Sequence, residues 1–279
     1  MLSGGQVRKP DPLNQTQNFK VHNLVIIPVY NEEIHIEKVL KKVRENTDSD
    51  ILVINDGSTD NSLKILYSLI SNSSLMRDEK GMPIHKINLI THSINQGYGK
   101  SLIDGFDFAI THGYQYMITM DCDEQHEPHL IPTFFSEIRE FDIVSGSRYL
   151  KEFPSNNPPP QNRKWINDQI TEIINYITGY NITDSFCGFK AYRINSLKKL
   201  RLTEYGYGMP LQLWIQAWNK NLTVKEYPVG RVYKNLDRSF GKELDDPESR
   251  LAYYKRIIEE ELAQTNTDSL KTVQTVQTV

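Results

Sequence analysis

Cysteine is scarce in this chain. The two present, Cys122 and Cys187, are too few for a disulfide framework, and neither sits in a Cys/His spacing that would hold structural zinc. Long hydrophobic runs are missing as well. No stretch approaches the roughly 20 apolar residues of a membrane span, and residues 1–20 lack the apolar centre of a signal peptide. Nor does one sign of charge dominate: 32 basic residues against 35 acidic ones leave a net charge of −3. That balance argues against nucleic acid as a partner and against broad adhesion to an anionic membrane. The expectation is a globular cytoplasmic protein whose thiols are small buried residues, and Asn-x-Thr triplets such as Asn181-Ile182-Thr183 are then chance matches.

What is present is enough apolar material for a full core. With 279 residues, 38% of them hydrophobic, one large α/β domain fits as well as two small ones. The expected division is a disordered tail over residues 1–20, a single domain over 21–262 and a disordered tail over 263–279, since both ends are polar. Between them strand and helix patterns alternate. Apolar runs at residues 24–28, 51–54, 87–90, 116–120 and 143–146 read as strands. Residues 32–44, 62–70, 99–110 and 165–176 carry helical spacing. Repeated β-α units predict a mostly parallel sheet covered on both faces. Residues 72–83 form a polar insertion. Residues 153–163, with Pro154 and Pro158-Pro159-Pro160, read as a mobile loop beside the active site.

The run Asp121-Cys122-Asp123-Glu124-Gln125-His126 follows the fourth apolar stretch directly. Two carboxylates one residue apart at a strand end can hold a cation where α/β sheets bind nucleotides. The same run can also be a solvated turn, or a phosphoryl-accepting aspartate. Its companions are Pro28-Val29-Tyr30-Asn31-Glu32-Glu33, Asn55-Asp56-Gly57-Ser58-Thr59-Asp60 and Asn95-Gln96-Gly97-Tyr98-Gly99-Lys100, so four consecutive strand ends carry polar turns. Two familiar phosphate motifs are excluded. A P-loop ending at Gly99-Lys100-Ser101 would need glycine at position 94, which is Ile94, and the dinucleotide fingerprint after Gly97 would need glycine at Leu102.

Taken in order and spacing, these four segments resemble family 2 glycosyltransferases of the GT-A fold, an α/β/α sandwich on a mostly parallel mixed sheet. The likeness extends to polyprenyl-phosphate glycosyltransferases such as the dolichyl-phosphate mannose synthases through Ser145-Gly146-Ser147-Arg148-Tyr149, residues 184–192 and Arg238-Ser239-Phe240-Gly241-Lys242. It covers about residues 22–245. The resemblance implies that Pro28, Tyr30, Glu32 and Asp56 line a nucleoside pocket, with Lys100 also on the substrate. It implies that Asp121, Asp123 and Gln125 hold Mg²⁺ or Mn²⁺ against a diphosphate. Arg148, Arg163, Arg238 and Lys242 would engage phosphates, as arginine's planar fork suits phosphate oxygens. Asp123, Arg148 and Asp184 would be catalytic, with Asp184 as the base if the acceptor is a hydroxyl.

The activity so implied is inverting transfer of a hexose from GDP-mannose or UDP-glucose to a polyprenyl phosphate, peripherally at the cytoplasmic face of a membrane. Transfer to a soluble hydroxyl is the alternative, and a non-catalytic nucleotide-sugar binding protein a third. Trp214 and Trp218, four residues apart, read as core; the segment from Gly206 to Gln212 reads as an acceptor-side loop.

Overall fold

A computed structural model describes residues 22–73, 87–232 and 240–276 of the chain, with the backbone alone for residues 72, 73, 242 and 266–276. The expected tail at 1–20, most of the polar insertion at 72–83 and Arg238 lie outside the described residues, as does the side chain of Lys242. Strands β1 (Asn23–Val29), β2 (Asp50–Asn55), β3 (Ile87–Thr91) and β4 (Tyr116–Thr119) alternate with helices α1 (Ile36–Asn46), α2 (Ser62–Ser73) and α3 (Tyr98–Thr111). Next come α4 (Ile131–Glu137), β5 (Ile143–Ser147), α5 (Gln161–Thr178), β6 (Lys190–Arg193) and α6 (Ile194–Leu197). The chain continues through α7 (Met209–Asn219), β7 (Val224–Pro228) and α8 (Pro247–Val276).

The strands form one sheet in the order β3-β2-β1-β4-β6-β5-β7. Its first four strands are parallel, β6 runs antiparallel to both neighbours, and β5 and β7 are parallel. This is the mostly parallel mixed sheet that the alternation predicts. The chain builds outward from β1 to β2 and β3, then returns to start β4 on the other side of β1. That reversal opens a crevice at the carboxyl ends of β1 and β4, where open α/β sheets bind ligands. In register, Val29 lies beside Asn55 and Asn55 beside Thr91, so the polar turns after β1, β2 and β3 emerge at one edge.

Alternate side chains of each strand enter different cores. Leu24, Ile26, Leu52 and Ile54 pack with Leu102, Phe106 and Trp214 on one face. Val25, Ile27, Ile51 and Val53 pack with Val39, Val43, Leu66 and Phe134 on the other. Burial on both faces is why these strands are unbroken apolar runs, each such side chain contributing about 1.5–3 kcal/mol. Trp214 is in the core as expected, and its Nε1 donates to the Ser185 carbonyl at 3.1 Å. Trp218, by contrast, is half exposed at the surface.

Two expectations need correcting here. The C-terminal helix does not give way to a tail at residue 263: α8 continues to Val276, there being neither glycine nor proline after Pro247 to stop it. Its buried Leu251, Tyr254, Ile257 and Ile258 pack over α5 and α7. A buried carboxylate pins the helix: Gln212 Nε2 and Gln216 Nε2 donate to Glu261 at 2.7 and 2.8 Å. The proline-rich loop is also tethered. Arg231 donates through Nη1 and Nη2 to Glu152 at 2.8 and 3.0 Å, and through Nε to the Asn157 carbonyl at 2.6 Å.

Candidate active site

The turns after β1 and β2 brace one another. Asn31, in the left-handed region at φ 56°, donates its N–H to Ser58 Oγ at 3.0 Å and accepts from the Thr59 N–H at 2.8 Å. Glu33 Oε2 accepts from the Asn61 N–H at 2.9 Å. Asp56 is buried and ties down the third turn: Oδ1 accepts from Gln96 N–H at 2.8 Å, and Oδ2 from Gly97 N–H at 2.9 Å. Behind it, His92 Nδ1 lies 2.6 Å from Asp56 and Nε2 lies 2.8 Å from Asp104. Gly97 has φ +110°, and a Cβ there would overlap the Tyr205 carbonyl. Only glycine lets the chain before α7 approach so closely, and that approach sets the ring of Tyr207 parallel to Tyr98, with centroids 6.0 Å apart.

These turns enclose a cavity, and Pro28, Tyr30, Glu32 and Asp56, the residues expected to meet a nucleoside, all lie in its walls. Lys100 is not among its walls. It lies on α3 with Nζ donating to Asp104 one helical turn on, an i,i+4 pair that holds it away from the crevice. Lys100, expected to meet substrate, is not in the walls of the cavity beside this one either.

The acidic run lies at the crevice itself. Asp123 and Gln125 line this cavity and also a second one beside it, which Asp121, Arg148 and Arg163 line as well. Tyr98 Oη donates to Asp121 Oδ1 at 3.1 Å, and the Gln125 N–H donates to Asp123 Oδ1 at 3.0 Å. A Cβ on Gly188 would come within 2.6 Å of Asp121 Oδ2, so the carboxylate occupies a cradle that only glycine leaves open. Glu124 turns the other way. At φ 58° its side chain swings back to α1, 2.5 Å from Lys38 Nζ and 3.1 Å from His35 Nδ1.

Among the described residues no three His, Cys, Asp or Glu side chains gather into a metal cage. Two carboxylates and an amide oxygen fit instead a hard divalent cation that takes its remaining ligands from substrate phosphates. His126 backs this group. Burial favours its neutral form, while Asp121, Cys187 and Asp123 pull its pKa upward. The Asp121 N–H nevertheless donates into Nδ1 at 2.9 Å, which requires a lone pair there, so we take the ring as neutral with its proton on Nε2.

Asp184 does not line either cavity. It is fully buried behind Arg148, which donates through Nε to Oδ2 at 2.7 Å and through Nη2 to Oδ1 at 2.8 Å. The Phe186 N–H also donates to Oδ1, at 3.1 Å. Burial alone would raise the Asp184 pKa; the paired Arg148 and nearby Lys190 hold it below the ordinary carboxylate value. So placed, it is poorly suited to the base role that a hydroxyl acceptor would ask of it and well suited to fix a guanidinium. Three contributors were not singled out from sequence: Tyr98, Tyr207 and Arg250. All three line the second cavity, and Tyr98 and Tyr207 the first as well. The tyrosines sit in segments already marked by their glycines, whereas Arg250 begins α8 with no motif around it.

Comparison with known proteins agrees with this layout. Residues 24–201 match the model of glycosyl transferase family 2. An undecaprenyl-phosphate mannosyltransferase of Micrococcus luteus is 27% identical over 220 residues, 77% of this chain and 86% of its own. A UDP-N-acetylglucosamine–dolichyl-phosphate N-acetylglucosaminyltransferase of Methanococcus voltae is 29% identical, over 78% of this chain and 88% of its own. Among solved structures, glucosyl-3-phosphoglycerate synthase of Mycobacterium tuberculosis, crystallised with Mn²⁺, UDP and glucosyl-3-phosphoglycerate, superposes with a TM-score of 0.61. It is 15% identical, over 88% of this chain and 80% of that one. The shared architecture is the GT-A fold.

Proposed function

Because the chain belongs to glycosyl transferase family 2, we propose that it moves a hexose from GDP-mannose or UDP-glucose to a polyprenyl phosphate, inverting the anomeric centre in one displacement. The observation that carries this reading is the pair of adjoining cavities with Asp123 and Gln125 common to both. A nucleoside fits the first, between Tyr30, Glu32 and Asp56, and the diphosphate reaches the seam. The relatives from Micrococcus luteus and Methanococcus voltae, whose names give a polyprenyl or dolichyl phosphate, support the acceptor.

Asp121, Asp123 and Gln125 would hold Mg²⁺ or Mn²⁺, which when bound offsets charge on the departing diphosphate. Arg148, fixed by Asp184, presents donors to phosphate oxygens in the second cavity. Asn167 lines that cavity with a buried Oδ1 that has no hydrogen-bond partner among the described residues, an acceptor for a hexose hydroxyl. The ion pairing of Asp184 favours a nucleophile that is already ionised, as a phosphate is, over a hydroxyl needing a base.

The test is nucleoside diphosphate release from a panel of nucleotide sugars with Mn²⁺, with and without a short-chain polyprenyl phosphate. Release that depends on the prenyl phosphate is expected. No release from any donor, or release only with a soluble hydroxyl acceptor, overturns the assignment.

A further inference from the structure

The second cavity holds a cation that no motif marks. Arg250 sits in the first turn of α8 and is 3% exposed, yet it lines the same walls as Arg148 and Arg163. Its Nη1 donates to the Leu244 carbonyl at 2.8 Å, while Nη2 is buried with no hydrogen-bond partner among the described residues. Its guanidinium carbon lies 4.3 Å from the centroid of Phe240, and that of Arg163 lies 5.1 Å from the same centroid. One aromatic ring thus gathers two like charges beside a cavity. Burial is the largest influence on Arg250 and pulls its pKa down, against the upward pull of Tyr254, Asp245 and Asp246. A buried guanidinium with an unused N–H is costly unless an anion completes it.

We propose that Arg250 binds the phosphate monoester of the acceptor, beside the Phe240 ring that it shares with Arg163. This rests on the transferase reading above and adds to it a residue outside the matched family segment, 24–201. Two observations separate this phosphate from the donor's diphosphate. Arg250 is absent from the walls of the nucleoside cavity, whereas Asp123 and Gln125 belong to both. Beside its charged residues the second cavity has an apolar stretch of wall, with Ile166, Phe186, Pro210 and Val232 in it, while its carboxylates, Asp121 and Asp123, are those that would hold the cation. A prenyl chain has the chemistry to cover those side chains while its phosphate meets the arginines. In the displacement, an ionised acceptor oxygen forms the bond to the anomeric carbon. The bond to the donor diphosphate breaks, and the nucleoside diphosphate leaves with the electron pair. No proton needs to move, and Arg250 stabilises the oxygens that do not attack.

The test is calorimetric titration of the full chain, with Mn²⁺ and nucleoside diphosphate present, using a short-chain prenyl phosphate, inorganic phosphate and the prenyl alcohol. Arg250→Gln should weaken the prenyl phosphate by roughly 10- to 100-fold, with Arg250→Lys in between and nucleoside diphosphate affinity unchanged. Prenyl phosphate binding far tighter than inorganic phosphate supports a lipid acceptor; equal affinities, both weakened by Arg250→Gln, support a soluble phosphate at the same residue. Unchanged prenyl phosphate binding in the variant overturns the proposal. So does a loss confined to nucleoside diphosphate, which would assign Arg250 to the leaving group. If Arg250→Gln does not fold, Arg250→Lys decides by the same two affinities. Should the wild-type protein transfer no sugar to prenyl phosphate, the transferase reading of the acceptor fails, while the titration still decides the role of Arg250.

Discussion

The two cavities are built in different ways. Around the nucleoside cavity, side chains from one turn bind the backbone of the next: Asn31 to Ser58 and Thr59, Glu33 to Asn61, Asp56 to Gln96 and Gly97. These turns follow consecutive parallel strands, so their geometry comes with the sheet. Around the second cavity the bracing joins other parts of the chain: Asp184 accepts from the Arg148 N–H as well as from its guanidinium, and Glu226 accepts from the Asp184 N–H. Arg148 follows β5, Arg163 belongs to α5, Gly188 precedes β6, Pro210 begins α7 and Arg250 begins α8. Its shape depends on helix packing, and its charges depend on one another. Damage to the first should therefore remain local in its effect on donor binding, whereas damage to the second should register as lost stability.

The sharpest break in that contrast lies at Arg148 and Asp184. Asp184→Ala leaves a guanidinium without its partner, and Arg148→Met leaves a carboxylate buried and uncompensated. Each should cost about 3–5 kcal/mol in urea unfolding, with the double replacement recovering much of the loss. The pH dependence has a defined sign. A carboxyl whose folded pKa is depressed stabilises fully above its unfolded value, about 3.9, and that contribution is lost as pH falls through the folded value. Wild-type stability should fall in that acid window, and Asp184→Asn should flatten the fall. An unaltered acid profile in Asp184→Asn would remove the ion pair from the account.

Asp123 lies at the seam and should not respect the contrast at all. Asp123→Ala is expected to lower turnover by about 100- to 1000-fold and to weaken both nucleoside diphosphate and acceptor binding. Chelation of divalent cations should reproduce the loss in the wild type and add little in the variant. If only one substrate weakens, the seam is misplaced.

Within the braced half, Asp56→Asn keeps the shape but leaves only one oxygen to accept from the Gln96 and Gly97 N–H groups. The donor KM should rise by about tenfold, the acceptor KM should stay within twofold, about the scatter of such measurements, and stability to unfolding should fall by about 1 kcal/mol, since one amide end must face a backbone N–H. An equal rise in both would mean that the turns are not independent of the second cavity.

How much of this was legible in sequence follows the same division. The unbroken run Leu24-Val25-Ile26-Ile27 announces a strand buried on both faces, and the polar turns at four strand ends announce a shared edge. Asp121, Asp123 and Gln125 meet at the crevice because their run follows β4 at the point where strand order reverses. Asp184 was legible as a residue that matters, but not in its role: a motif aspartate reads the same whether it faces a cavity or a guanidinium. Lys100 carried a usable signal, since Asp104 stands four residues later on the same helix. Arg250 carried none. Apart from Phe240 and Tyr254, the side chains that share its cavity come from segments far away in the chain, and the packing of α8 on α5 and α7 joins them. The proline-rich loop read as mobile because nothing local marks Arg231 as its tether.

The smallest expected effect tests whether that packing matters to function. Glu261 is buried and accepts from Gln212 and Gln216, fastening α8 to α7 well away from both cavities. Glu261→Gln keeps the volume but exchanges charged acceptors for a neutral amide, one end of which must now face a donor. A loss of about 1 kcal/mol in urea unfolding is expected. Because α8 also carries Arg250, acceptor affinity should drop a few-fold, and donor affinity should not, since no donor-cavity wall comes from α8. If both affinities hold while stability falls, the start of α8 is positioned by its own contacts around Phe240 and Leu244, independently of the Glu261 clamp.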